Sequence, residues 1–247
     1  MAGSNPTLNE KIFSRSVVAG TDSTAVFTVN GVINKATVMM VLVLLGACTT
    51  WGLMARNPQG SELVGVLGIG GLIGGLISCL VCCFSPRSTF VAGPIYALCQ
   101  GIVLGIISAL FNKDQPGIVT QAVVLTFGIF LAMLGAYRTR LIQATAKFRA
   151  IVLACTGGIF ITMLVSLGLY LITGTTPIMN QPTPLGIGLS LFILVIAAFN
   201  LIIDFDFIEK LASDRTSKDM EWYAAFGMIV TLLWIYLRVL RLLRQLR

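Results

Sequence analysis

The chain has 247 residues, of which 56% are hydrophobic and only 11% charged, with a formal charge of +7. Soluble domains carry about 25% charged residues, so this composition excludes one or two ordinary soluble cores and implies a polytopic membrane protein. The positive balance does not imply nucleic acid: the basic residues sit between oily segments and at the C-terminus, where they set topology and meet anionic lipid headgroups.

The first 31 residues are polar and are expected to form a cytoplasmic arm, with residues 32–247 as the transmembrane domain. No charged start followed by a short apolar core and a small-residue cleavage site is visible, so no cleaved signal peptide is expected. A spanning helix needs about 20 mostly apolar residues, and seven segments qualify. The first runs from about Val32 to Met54, with Lys35 near its start able to snorkel. The second covers Leu63 to Phe84, the third Phe90 to Phe111, the fourth Gly117 to Tyr137 and the fifth Ala150 to Thr173. The sixth starts near Leu185 and reaches a run of acids, and the seventh covers Trp222 to Leu243. Pro58, Pro86, Pro116 and the group Pro177, Pro182 and Pro184 fall in or beside the connections, as helix breakers should. The expected fold is therefore an all-α bundle of seven transmembrane helices.

Basic residues set the orientation. With the N-terminus inside, one side collects Lys11, Arg15, Lys35, Arg87, Arg138, Arg140, Lys147, Arg149, Lys210, Arg215 and Lys218, and the opposite loops hold Arg56 and Lys113. That asymmetry places the N-terminus in the cytoplasm. Arg238, Arg241, Arg244 and Arg247 break the pattern, because seven crossings put the end of the chain outside; either the earlier helices override these late charges or the last segment does not fully cross.

Glycines mark close helix approach. Gly70 and Gly74, and Gly71 and Gly75, are spaced by four on one face of the second span; Gly101 and Gly105 repeat the device in the third. The six cysteines all lie in apolar stretches, and Cys79-x-x-Cys82 has neither a histidine nor a second such pair in the chain to complete a metal site. With no histidine, the chain also lacks a Ser-His-Asp triad and a His-Glu-x-x-His site, so enzymatic activity and a resident cofactor are not expected.

The most informative stretch is Asn200-Leu-Ile-Ile-Asp204-Phe-Asp206-Phe-Ile-Glu209. A charged group at the middle of hydrocarbon costs roughly 2.5–3.5 kcal/mol on insertion scales, so such residues usually face a bundle interior or a polar path. With the hairpin between spans six and seven centred near Ala212 or Ser213, Asp204 is expected level with Glu221 and Asp206 level with Asp219. Carboxylates in close contact cannot all ionise cheaply, so a shared proton or a hard cation such as calcium could occupy the cluster. A solvated network with Lys210, Arg215 and Lys218 is the competing reading. Gln100, midway along the third span, is a further interior polar candidate, either packing glue or lining of a pathway.

Several stretches carry a resemblance: Asn5-Pro6-x-Leu8-x-Glu10-Lys11, Ala92-Gly-Pro-Ile-Tyr-Ala-Leu98, Gln121 to Gly128, Tyr137-Arg-Thr139, Asp204-Phe-Asp-Phe-Ile-Glu209 and Glu221-Trp-Tyr-Ala-Ala-Phe-Gly227. Through these the chain resembles the bacterial branch of the Bax inhibitor / YccA family, the transmembrane Bax inhibitor motif family. The resemblance implies a seven-helix bundle with the last helix near its centre, in the bacterial inner membrane. It also implies a pH-sensitive calcium leak gated by two aspartates, one late in the sixth helix and one in the seventh. The first matches Asp204 followed by Ile208. The second has no match: the nearest motif, Ile235-Tyr-Leu-Arg238, ends in arginine, and matching by distance from Asp204 falls near Val230 or Thr231. Members of this branch often carry glutamate where Gln100 and Arg238 stand. On the hairpin register above, Arg238 is about 25 Å deeper than Asp204. The expected partners are therefore the bilayer and calcium or other cations, with Asp204, Asp206, Glu221 and Gln100 on the pathway. A second reading, also from the resemblance, is a modulator of the membrane protease FtsH that grips it through the N-terminal arm.

Overall fold

A computed structural model describes residues 26–56, 61–173 and 183–246. Seven helices among these residues are long and apolar enough to cross a membrane, as the periodic oily segments require. We number them α1 (Val29–Arg56), α2 (Ser61–Phe84), α3 (Thr89–Asp114), α4 (Ile118–Arg138), α5 (Ala146–Thr173), α6 (Pro184–Ser213) and α7 (Met220–Leu246). A short 3-10 turn, Pro86–Ser88, joins α2 to α3. The protein is all-α and multi-pass; the described residues contain no β-strand, only one isolated bridge between Val26 and Ser217. Residues 1–25 of the expected polar arm lie outside the described residues.

Three helices start earlier than their apolar cores because hydroxyl side chains cap them. Thr28 Oγ1 accepts from Gly31 N at 3.0 Å, Thr145 Oγ1 from Phe148 N at 3.2 Å and Thr183 Oγ1 from Gly186 N at 3.1 Å. Each bond satisfies a donor that the first helical turn leaves unpaired. In α6 the cap is followed by Pro184 at the first helical position, where its missing N–H costs nothing. The cap at Thr145 draws Lys147 and Arg149 into α5, and the cap at Thr28 places Lys35 inside α1.

The described chain forms two compact units. The first joins the residues up to Pro116 with Phe207–Val230, and the second joins Gly117–Asp206 with the residues from Thr231 onward. In the first unit α1 and α3 meet backbone to backbone. A Cβ added to Gly101 would lie 2.3 Å from the Val43 carbonyl oxygen, one on Gly105 2.6 Å from Ala47 O, and one on Gly46 2.7 Å from Leu98 O. No side chain fits there, so glycine on both helices permits the contact. Thr50, buried in the same seam, donates to Gly46 O at 3.0 Å. Tyr96 and Phe226 pack edge to face with ring centroids 4.9 Å apart.

The glycines of α2 divide. A Cβ on Gly71 would meet Cys99 O at 3.0 Å, one on Gly74 Cys99 Sγ at 3.0 Å, and one on Gly75 Gln100 Nε2 at 3.0 Å, all on α3. Gly70 meets nothing within 4 Å. Cys82 is fully buried in this unit, and the six cysteines are free thiols.

In the second unit Val152, Ile159, Ile193, Ile196 and Ile203 form an apolar core joined by Phe148, Phe199 and Trp234. Phe205 packs against Phe130 and Tyr137, with centroids 5.7 and 5.9 Å away. Helices α6 and α7 are the most buried, with 61% of each apolar window inside, against 22% for α1. The buried stretch of α6 from Leu201 to Phe205 thus holds an acid at position 204 away from the surface.

Candidate functional site

Asp204 lies in α6 with only 2% of its surface exposed. Leu201, Ile202 and Ile203 before it are buried, so the carboxyl group stands among hydrocarbon. Thr231 Oγ1 on α7 donates to Asp204 Oδ2 at 2.6 Å. Asp204 Oδ1 is buried without a hydrogen-bond partner among the described residues. A buried carboxylate oxygen left unpaired is costly.

This bond fixes the register between α6 and α7 and corrects the sequence expectation. Asp204 is level with Thr231, not with Glu221. The reason is the length of α6, which continues through the charged Glu209 and Lys210 to Ser213. Its end is closed by Thr216 N bonding to Leu211 O at 3.3 Å, with Arg215 in the left-handed region at φ 49°. The reversal is therefore centred later than Ala212. Along α7, Glu221 precedes Thr231 by about 15 Å at about 1.5 Å per residue.

Asp206 and Glu221 are each paired with a base. Asp206 forms an ion pair with Arg149 of α5, whose Nε also donates to Ala144 O at 3.0 Å. Residues two apart on a helix do not face each other, so Asp204 and Asp206 point apart. Glu221, only 1% exposed, forms an ion pair with Lys35 and accepts from Thr28 N at 2.9 Å and Thr28 Oγ1 at 3.0 Å. Lys35 Nζ also lies 5.7 Å from the Trp222 ring centroid. Gly31 makes room for this arrangement, since a Cβ there would fall 2.2 Å from the Glu221 carboxylate. Phe27 N donates to Thr216 O at 2.9 Å, so the segment before α1 is tied to the loop before α7. Glu209, Asp214 and Asp219 are exposed. Asp206 and Glu221, expected in a shared carboxylate cluster, each pair instead with a base in their own unit, and the described residues contain no group of three or more Cys, Asp or Glu side chains arranged to hold a metal ion.

Gln100 lies over Gly75 of α2. Asn200 is buried and donates to Thr156 Oγ1 and to Ile196 O, each at 2.9 Å. Arg238 is 3% exposed and donates to Met163 Sδ at 2.8 Å, with no carboxylate partner among the described residues. In the observed register it lies seven residues beyond Thr231 on the same face of α7. Its separation from the Asp204 level is about 10 Å, not about 25 Å.

Thr231 of α7 thus faces Asp204 of α6, a hydroxyl opposite a buried acid within one unit. The family profile described as Bax inhibitor 1 like matches residues 5–247. The chain belongs to the Bax inhibitor 1 like family. Neither the curated proteins nor the solved structures give a match. Within this family member, Thr231 occupies the place facing Asp204. Thr28, Gly31 and Lys35, the partners of Glu221, were not legible as a group from sequence spacing, because they lie at the opposite end of the chain from it.

Proposed function

We propose that this Bax inhibitor 1 like protein is a passive leak for calcium or related cations, controlled by proton occupancy of Asp204. The observation that carries the reading is the Asp204 carboxyl group, buried in an apolar unit with one oxygen bonded to Thr231 and the other without a partner among the described residues. An ionised carboxylate in that setting attracts any cation that can reach it, because the surroundings offer little competing solvation. A proton and a metal cation therefore compete for one oxygen. Oxygen ligands suit calcium, but a single carboxylate and a hydroxyl form a weak site, as transit requires and storage does not.

Thr231 replaces a second carboxylate as the facing group. It can donate to an ionised Asp204 or accept from a protonated one, so it serves both states without adding charge. The basic residues support an orientation with the N-terminus in the cytoplasm of a bacterial cell. Arg87, Arg138, Arg140, Lys147 and Arg149 lie at or near the α2–α3 and α4–α5 connections, and Lys210, Arg215 and Lys218 at or near the α6–α7 connection.

Purified protein in liposomes loaded with a calcium dye tests the proposal between pH 6 and 8. Wild-type protein should pass calcium at a rate that changes with pH, and Asp204→Asn should pass it at a rate that does not. Thr231→Asp should shift the pH response by restoring a second acid. Equal, pH-independent flux in wild-type and Asp204→Asn liposomes rejects the proposal.

A further inference from the structure

A cavity of about 480 Å³ opens beside the Lys35–Glu221 pair in the first unit, lined in part by Thr28, Asn34, Lys35, Val38, Lys218 and Trp222. Its lining changes character along α1. Thr28 and Asn34 lie at or within two turns of the helix start, whereas Val38 lies deeper and is 49% exposed on the outer surface. Glu221 neutralises Lys35. Lys218 is exposed and has no ion-pair partner among the described residues. The side chains that line the cavity thus leave one net positive charge, to which the N-terminal ends of α1 and α7 add partial positive charge. Trp222 is an amphipathic ring of the kind enriched at headgroup depth.

One positive charge, amide donors, an indole and an apolar exit toward the lipid-facing surface describe one class of ligand. We propose that this cavity binds the phosphate headgroup of an anionic membrane phospholipid, with Lys218 and Asn34 holding the phosphate and the acyl chains leaving past Val38. A soluble anion would use the lysine but has no use for the apolar exit. The volume suits a glycerophosphate group and not a whole lipid, so the chains must stay in the bilayer. This site lies on the tie between the start of α1 and the start of α7 and is independent of Asp204.

The chain has three tryptophans, Trp51, Trp222 and Trp234, so full-length Trp51→Phe/Trp234→Phe protein reports on Trp222 alone. In nanodiscs of phosphatidylcholine, small fractions of brominated phosphatidylglycerol should quench Trp222 with about five-fold higher apparent affinity than brominated phosphatidylcholine, the factor expected for one lysine near a headgroup. Lys218→Ala should bring that ratio close to one while leaving the fold intact, because its side chain is exposed. Millimolar glycerophosphoglycerol should leave the quenching unchanged. Equal quenching by the two lipids, or a preference that survives Lys218→Ala, overturns the site. Displacement by the soluble ester overturns the lipid assignment. If the double Phe variant does not fold, native mass spectrometry on otherwise wild-type protein gives the same decision: retained phosphatidylglycerol should be lost in Lys218→Ala, and equal retention overturns the proposal.

Discussion

The Lys35–Glu221 pair gives the clearest energetic prediction. Glu221 is 1% exposed and Lys35 16%, so the carboxylate is sheltered while the ammonium keeps some contact with its surroundings. Removing one partner of a buried pair costs about 3–5 kcal/mol, because the survivor is left as an uncompensated charge. The residual exposure of Lys35 argues for the lower end, so Lys35→Met should cost about 3 kcal/mol. The two bonds from Thr28 then remain on Glu221, but both come from neutral donors. For a chain of this size about 2–4 °C of melting temperature accompanies each kcal/mol, giving a fall of about 6–12 °C for Lys35→Met in detergent. Glu221→Gln, which keeps an acceptor for Thr28 but strands the lysine, should cost less, since Lys35 can turn outward. The double variant Lys35→Met/Glu221→Gln should recover most of the loss, with a coupling above about 1.5 kcal/mol in a double-mutant cycle. Single variants each costing under about 1 kcal/mol, the range of exposed pairs, would show that the pair is solvated and that the reasoning from burial is wrong.

Three further outcomes follow from the packing and the polar contacts. Gly101→Ala should lower the melting temperature severely, because its Cβ meets the Val43 backbone at 2.3 Å, whereas Gly70→Ala meets nothing and should be neutral or stabilising by up to about 1 kcal/mol through helix propensity; equal effects in thermal unfolding would contradict the α1–α3 contact. Thr231→Val keeps the shape of the side chain but removes the donor to Asp204, and should cost about 1–3 kcal/mol; the expected companion result is an altered pH dependence of calcium flux in liposomes. Asn200→Leu removes the bonds to Thr156 and Ile196 and should cost about 0.6–2 kcal/mol by denaturation in mixed micelles, with no cost at all counting against that assignment.

The helices were legible because hydrocarbon imposes one solution. A segment of about 20 apolar residues must satisfy its own backbone, and in an all-apolar run only a helix does so locally. Their ends were less legible, since a helix continues until something stops it. Lys147 and Arg149 look like loop residues by charge, yet Thr145 caps the turn that contains them. The same holds at Thr28 and Thr183. In each case a threonine ahead of the oily run carried the signal, and hydropathy alone ignores it. The glycine spacing in α2 was visible, but which glycines face α3 was not: two pairs at intervals of four cannot say which has a neighbour, and Gly70 has none.

The site shows where local reasoning stops. Asp204 stands out in sequence because a lone acid in an oily run is costly wherever it sits. Its partner depends on the register of two antiparallel helices, and a hairpin register moves with the length of its turn. Charge was the misleading cue: Glu209, Lys210, Asp214 and Arg215 look like one polar loop, but α6 runs through the first two and Arg215 closes the reversal. Moving the centre of the turn by a few residues replaces Glu221 with Thr231 opposite Asp204 and releases Glu221 to Lys35. The motif match at Arg238 and the distance match near Thr231 disagree in the sequence, and in the structure it is Thr231 that stands opposite Asp204. Seven residues of α7 separate the two positions, nearly two full turns, so both project from one face while only Thr231 reaches the carboxylate. A threonine at that point preserves the contact between α6 and α7 and removes one charge from it. Thr231→Asp adds an acid opposite Asp204 and Asp204→Asn removes the one that stands there, so the two variants should change the pH response in different ways.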